Sequence, residues 1–103
     1  MNNQQPMTEA MYYILLALLH PSHGYGMMQR IRELSGGRLV MGPGTLYGVL
    51  TRMRQVGWIA LQSQDERRKT YVITPEGQQA LHAEYQRLRL LVRDGAILEE
   101  DEG

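Results

Sequence analysis

The side chains best suited to chemistry lie in two short stretches, and both suit contact with phosphate. Residues 44–56 combine hydroxyl groups with arginines that have no carboxylate beside them. Residues 64–69 end in three consecutive cations, Arg67, Arg68 and Lys69. Arginine and lysine neutralise phosphates, and arginine can also pair bidentately with guanine. The two stretches therefore predict a surface that contacts nucleic acid.

The same sequence offers little to an enzyme or a metal centre. It has no cysteine and three histidines, of which His20 and His23 flank Pro21. Because no third ligand is evident nearby, we assign these two histidines a structural or capping role. No nucleophile–base pair and no glycine-rich phosphate loop can be recognised. We therefore predict no catalytic residue, no metal and no cofactor.

The formal net charge of zero hides an uneven distribution. Residues 25–74 contain eight arginines or lysines and three acidic residues, whereas residues 99–102 are all acidic. A basic middle favours a polyanionic partner such as DNA. The acidic end is most simply a solvated terminus, although it could also repel DNA or screen the basic surface.

Length and hydropathy limit the class of protein. A chain of 103 residues is long enough for one compact domain. The longest apolar run, residues 11–19, is too short to span a bilayer, and no basic residue precedes it as in a signal peptide. We therefore expect a cytoplasmic protein.

Hydrophobic periodicity predicts helices interrupted by one β-hairpin. Thr8 and Thr74 are expected to cap the first and last helices, and Gly57 should end the third. Residues 38–41 are expected to form a short strand. The periods give helices at about 9–19, 25–34, 44–56 and 75–93, and hairpin strands at 58–63 and 69–74.

The order of these elements predicts a mainly α fold with a small β-hairpin. It corresponds to a winged helix-turn-helix followed by a long C-terminal dimerisation helix. Residues 1–75 would form the DNA-binding domain, and residues 76–103 the dimerisation helix and acidic tail, packed as one unit. The helix at 44–56 would enter the major groove as the recognition helix, with the basic wing at 64–69.

The helix at 44–56 has two contrasting sides. The apolar side follows helical spacing and comprises Leu46, Val49, Leu50 and Met53. The opposite side comprises Gly44, Gly48, Thr51 and Gln55, flanked by Arg52 on one edge and by Tyr47 and Arg54 on the other. Glycine at position 48 costs about 1 kcal/mol of helix propensity relative to alanine but allows close approach to DNA. The polar side therefore predicts the DNA contact.

The last helix carries a heptad-like apolar seam. Leu81, Tyr85, Leu88 and Val92 are spaced by 4, 3 and 4 residues, and Leu91 widens the seam. A domain this small cannot cover such a seam alone, so a second copy of the chain is the expected partner.

Three segments, HGYGMMQRI, GPGTLYGVLTRMRQVGWI and RRKTYVITPEGQQAL, resemble the PadR family of winged-helix transcriptional regulators. Their order and spacing match, and the resemblance extends from about Met7 to Val92. It implies a homodimer held by the C-terminal helix and helix 1, acting mostly as a repressor. A single C-terminal helix resembles the short branch of the family. Arg54 departs from the pattern, because this position is often acidic in the family.

The predicted site residues combine this resemblance with the residue patterns. Tyr25 matches an aromatic position that supports the recognition helix or touches phosphate, and Tyr71 lies on the second strand of the wing. The predicted DNA-binding residues are Tyr25, Gly44, Thr45, Tyr47, Gly48, Thr51, Arg52, Arg54, Arg67, Arg68, Lys69 and Tyr71. The predicted dimer interface comprises Met11, Leu15, Leu81, Tyr85, Leu88, Leu91 and Val92.

The resemblance also implies an effector, because family members respond to small, often aromatic molecules near the dimer interface. An effector site is expected around Tyr12, Tyr13, Leu88 and Leu91. The predicted function is thus a dimeric regulator of a palindromic double-stranded DNA operator, which a small molecule could release. The alternative is a winged-helix module that binds proteins without reading DNA.

Several residues have a structural explanation beside the functional one. Tyr47 could be half-buried between the recognition helix and the wing, and the basic hairpin tip could serve solubility alone. Trp58 is expected to pack under the wing, with a place in an effector pocket as the alternative.

Overall fold

The computed structural model describes residues 6–64 and 68–100, and its elements follow the predicted order. The structure is mainly helical and contains one antiparallel hairpin between α3 and α4, as the winged-helix prediction requires. The helices and strands are α1 (Glu9–Ala17), α2 (Gly24–Leu34), α3 (Pro43–Val56), β1 (Ile59–Gln64), β2 (Lys69–Ile73), α4 (Pro75–Gly95) and α5 (Ile97–Glu100).

Helix α1 begins as predicted and ends earlier than predicted. The Thr8 hydroxyl accepts a hydrogen bond from the Met11 amide at 3.2 Å, which satisfies a free amide of the first turn. The helix ends at Ala17 rather than at Leu19, and the Leu18 amide bonds to the carbonyls of both Ile14 and Leu15. This tightening ends α1 before Pro21 can disturb it.

The predicted strand at residues 38–41 is wrong, because this segment is a loop between α2 and α3. The Ser35 hydroxyl accepts from the Leu39 amide at 2.9 Å and lies 3.4 Å from the Leu39 carbonyl oxygen. A local side chain therefore takes the place of a strand partner. Met41 anchors the loop by burying its side chain in the core.

Helix α3 buries the predicted apolar side. Leu46, Leu50 and Met53 are buried and Val49 is partly buried, while the residues opposite are exposed. Gly57 ends the helix with a positive φ of 93°, a left-handed conformation that favours glycine.

The hairpin forms with one irregularity and joins the rest of the domain through a third segment. β1 and β2 pair antiparallel, and the register shifts between Leu61 and Ser63. Ser22 and Tyr71 exchange two backbone hydrogen bonds of 3.1 and 2.8 Å. β2 therefore lies between β1 and the segment that joins α1 to α2.

Helix α4 starts at a tight junction with the end of α3. The Thr74 hydroxyl accepts from the Gly77 amide at 3.0 Å and donates to the Gly57 carbonyl at 2.6 Å. A Cβ at Gly77 would overlap the backbone carbonyl oxygen of Trp58. The predicted cap at Thr74 is confirmed. Helix α4 ends at Gly95, and a single residue separates it from α5.

One apolar core joins the first three helices to the hairpin and to the start of α4. Trp58 is buried in it, as predicted. The core side chains that are fully buried are Ile14, Leu15, Leu18, Met27, Ile31, Leu46, Leu50 and Met53. Among the described residues, no helix has the length and hydropathy needed to cross a membrane.

Candidate nucleic-acid interface

The outward side of α3 is exposed along its whole length. It consists of Gly44, Thr45, Tyr47, Gly48, Thr51, Arg52, Arg54 and Gln55, all of which are exposed. None of these residues is acidic. The buried apolar side fixes the rotation of the helix, so this polar side must face away from the core.

The two arginines of α3 have no carboxylate partner among the described residues, unlike Arg30 and Arg38. Arg30 pairs with Glu33 at 3.5 Å, and Arg38 pairs with Glu9 at 2.7 Å. No such pair involves Arg52 or Arg54 in the ranges 6–64 and 68–100. Their charge is therefore available to an anion from outside the chain.

Tyr47 packs on the first turn of α2. A Cβ at Gly24 would overlap the Tyr47 hydroxyl oxygen, so the glycine leaves room for the phenol ring. Tyr47 nevertheless remains 44% exposed. The contact described is thus with α2, whereas the structural alternative placed Tyr47 between the recognition helix and the wing, and contact with DNA stays a prediction.

Gly44 and Gly48 leave the middle of the outward side without side chains over the first two turns of α3, between the exposed Thr45 and Tyr47. A Cβ at either position would meet no atom within 4 Å. Neither glycine has a positive φ. The absence of a side chain is therefore not required by the packing of the domain or by the backbone conformation.

A shallow groove separates α3 from β1. It is lined by Thr51, Arg54 and Gln55 on the helix and by residues 59–61 on the strand, and its volume is about 490 Å³. Gln55 was not among the predicted site residues. The helical spacing places Gln55 on the outward side of α3. It does not show that β1 lies next to this residue.

The wing contributes fewer described residues than predicted. Arg68 and Lys69 are exposed at the start of β2, whereas Arg67 lies outside the described residues. The structure corrects the prediction that Tyr71 contacts DNA, because this residue is only 4% exposed and packs in the core. Burial raises the pKa of Tyr71, and Tyr47 adds to this effect while Arg54 opposes it. Tyr71 has too little surface to contact DNA.

Tyr25 lies exposed at the start of α2, next to the turn on which Tyr47 packs. Its hydroxyl accepts a hydrogen bond from the Gln29 amide at 3.1 Å. His23 caps the same helix, since its Nδ1 accepts from the Gly26 amide at 3.2 Å. The expected capping role of a histidine here is confirmed.

A second surface, apolar in character, lies on the C-terminal part of α4 and on α5. Its exposed large side chains are Tyr85, Leu90, Leu91, Val92, Ile97 and Leu98. Val92 is the most exposed of them, at 75%. This concentration of exposed apolar side chains favours an interaction surface.

Part of the predicted dimer interface is corrected by the structure. Met11, Leu15 and Leu81 pack inside the chain's own core, where each is at most 5% exposed. Residues with so little surface cannot supply a contact with a partner. The seam on α4 is therefore divided along its length. Its first turn packs on α1, and its later turns remain exposed.

A cavity of about 370 Å³ between α1 and α4 contains three of the four predicted effector residues. Tyr12, Tyr13 and Leu88 line it, whereas Leu91 does not. Leu91 lies on the exposed part of α4, one turn beyond the cavity. Leu91 therefore lies outside this cavity, and the effector site itself stays a prediction.

The polar walls of the α1–α4 cavity consist of two ion pairs. Arg38 binds Glu9 and donates to the Tyr13 hydroxyl at 2.9 Å, and Arg87 donates two hydrogen bonds to Glu84. The hydrogen bonds from Arg87 lower the pKa of Glu84. Sequence reasoning missed both pairs, and the spacing of Arg38 and Glu9 gives no signal of their contact.

Burial raises the pKa of Tyr12 at the inner wall of this cavity, with smaller contributions from Tyr85, Glu84 and Tyr13. The Tyr12 phenol is therefore neutral and can donate or accept a hydrogen bond. The cavity thus offers the phenol rings of Tyr12 and Tyr13 and two balanced ion pairs.

Comparison with known proteins gives one matching family. The family described as "Transcriptional regulator PadR-like family" matches residues 14–83. A 37.1 kDa uncharacterized protein of a Streptomyces fradiae transposon is 35% identical over 77 residues. That match covers 74% of this chain and 22% of the relative, so the chain spans about a fifth of the relative's length.

Solved structures support the same fold. A transcriptional regulator from Clostridium thermocellum superposes with a TM-score of 0.70 and 30% identity, covering 80% of this chain and 82% of its own. A PadR-family transcriptional regulator from Eggerthella lenta superposes with a TM-score of 0.68 over 84% of this chain and 74% of its own. At 24% identity the second match is evidence for the fold alone.

Proposed function

The chain belongs to the PadR-like family of transcriptional regulators, which are not enzymes, and from this premise we propose that it is a dimeric, DNA-binding repressor. In this proposal each α3 enters a major groove of a palindromic operator, and the basic wing contacts the neighbouring phosphates. A small molecule bound near the dimer interface would release the operator.

The observation that carries the proposal is the acid-free outward side of α3 with its two unpaired arginines. Arg52 and Arg54 have no ion pair among the described residues, and nothing acidic on this side would repel a phosphate. An interaction module for proteins would instead favour an exposed apolar patch at this place. The glycines at positions 44 and 48 let a duplex approach the helix closely.

The exposed apolar surface on α4 and α5 supports the dimer. Tyr85, Leu91 and Val92 lie on or beside the seam that extends past α1, and a second copy of the chain would cover them. A two-fold dimer would place its recognition helices in successive major grooves, about 34 Å apart. Dimer symmetry is thus what makes a palindromic operator the expected target.

The α1–α4 cavity supports the effector site. It adjoins the exposed part of α4, so a ligand there would touch both the chain's own core and the proposed partner surface. Tyr12, Tyr13 and Leu88 would contact an aromatic ligand.

The test is protection of the DNA directly upstream of the protein's own gene, followed by binding measurements at several salt concentrations. A protected palindrome is expected. Replacing Arg67 and Arg68 by alanine should reduce the slope of log affinity against log salt by about 0.9 for each lost phosphate contact.

Arg93→Ala is the matched control, because Arg93 is an exposed arginine of α4 paired with Asp94, and its loss should leave the slope unchanged. An unaltered slope in the double variant would refute the wing contact. If no promoter is protected, the protein-binding alternative is favoured over DNA binding.

A further inference from the structure

The central ridge of the outward side of α3 is formed by Gly44, Gly48, Thr51 and Gln55, at spacings of 4, 3 and 4 residues. Such residues lie in one line along a helix. They are therefore the residues that reach furthest into a groove when the helix lies along it. The flanking arginines, Arg52 and Arg54, lie closer to the groove walls.

The first half of this ridge cannot read a base with a side chain. Gly44 and Gly48 have none, and a Cβ at either position would meet no atom of the chain within 4 Å. Tyr47, beside them, packs its hydroxyl against the first turn of α2 at Gly24. Along the ridge, the first two turns of α3 thus offer backbone and close approach, whereas the exposed Thr45 lies to one side of the ridge.

Thr51 is the next residue of the ridge, and its hydrogen-bonding capacity is limited. Its hydroxyl donates to the Tyr47 carbonyl at 2.9 Å, so its only hydrogen is occupied within the helix. It can still accept a bond or place its methyl group against a thymine methyl. It cannot donate to an acceptor on a base edge while this bond is kept.

Gln55 is the remaining polar residue of the ridge, and its side chain keeps both a donor and an acceptor available, whereas the Thr51 donor is occupied. It is exposed, it lines the groove between α3 and β1, and no group among the described residues bonds to its side-chain amide. A glutamine amide can pair bidentately with N6 and N7 of adenine in the major groove.

We propose that Gln55 is a specificity-determining residue that reads an adenine in each half of the operator. In this proposal the last turns of α3 contact the bases, whereas recognition helices usually contact bases with their first turns. This inference rests on the proposed DNA-binding function. It assigns the glycine-bearing turns to close approach and the later turns to specificity.

The experiment is selection of bound sequences from a random DNA pool by the wild-type protein and by three variants. Gln55→Ala should lose the preference for one base pair in each half-site, with discrimination at that pair reduced about tenfold and the other positions kept. Gln55→Glu should change the preferred base from adenine to cytosine, whose N4 donates to a carboxylate.

Gln79→Ala is the matched control, because Gln79 is an exposed glutamine on α4 rather than on α3, and it should select the wild-type motif. Gln55→Ala also favours helix formation, so a change in the motif cannot come from loss of α3. The inference is overturned if both Gln55 variants select the wild-type motif. If the wild-type protein enriches no motif, the DNA-binding function itself fails.

Discussion

Alanine replacing glycine inside two helices of this protein should change stability in opposite directions. Gly48 lies on the outward side of α3, where an added methyl group meets open space. Gly77 lies in the first turn of α4, where the same methyl group would overlap the Trp58 carbonyl oxygen and lie 3.0 Å from the Ile73 Cγ1. The substitution is the same, but Gly48 lies in a helix interior and Gly77 in a first turn, and the surroundings of the added methyl group are opposite.

The expected changes in stability follow from helix propensity and from the packing of the added methyl group. Alanine gains about 1 kcal/mol over glycine in a helix, and Gly48→Ala should keep this gain in full. For a domain of this size the melting temperature should rise by about 4–8 °C. In Gly77→Ala the gain opposes an overpacking cost of about 1–3 kcal/mol. We expect the upper part of that range, because the clashing atom belongs to the backbone and cannot rotate away.

Thermal unfolding followed by the fluorescence of Trp58, the sole tryptophan of the chain, measures both effects. Gly48→Ala should melt above wild type and Gly77→Ala below it. The stabilised Gly48→Ala protein should also bind DNA more weakly, because the methyl group holds the duplex away from α3. A lower melting temperature for Gly48→Ala, or a higher one for Gly77→Ala, would refute the reasoning.

Two other changes test the partner surface and the α1–α4 cavity. Val92→Glu should yield monomers in sedimentation velocity without loss of folding, since Val92 is 75% exposed and outside the core; a dimer that persists would place the interface elsewhere. Glu84 has a lowered pKa in the folded chain, so its ion pair stabilises the fold above the ordinary value of 4.5 and is lost as pH falls through the lowered value. Glu84→Gln should therefore remove part of the acid sensitivity of the melting temperature between pH 6 and 3, and superimposable pH profiles would contradict this.

Features set by local chemistry could be predicted from the sequence. Thr8 and Thr74 cap their helices, and Gly57 ends α3, because each role depends on a side chain and backbone only a few residues away. The buried side of α3 follows from helical spacing in the same way. The strand expected at residues 38–41 failed because a strand needs a partner, and Ser35 supplies the hydrogen bonds instead.

Features set by tertiary packing could not be predicted. The spacing of Leu81, Leu88 and Val92 identifies a seam, but it does not say that α1 covers its first turn and leaves its last exposed. The alternation of side chains along a strand likewise does not show which face of β2 meets the core. The predicted DNA contact of Tyr71 is therefore incorrect, because its side chain lies on the core face. The contact of Arg38 with Glu9 depends on how the loop before α3 lies against α1.

The pair of backbone hydrogen bonds between Ser22 and Tyr71 has a consequence for the order of folding. The chain between these residues contains α2, α3 and β1, so the bridge closes a long loop. Forming it costs chain entropy that only packed helices can offset, whereas the turns of α2 and α3 need only local contacts. We therefore expect the helices to form first and the bridge last. The wing would then be the final part of the domain to gain its native position, and the first to leave it when the protein unfolds.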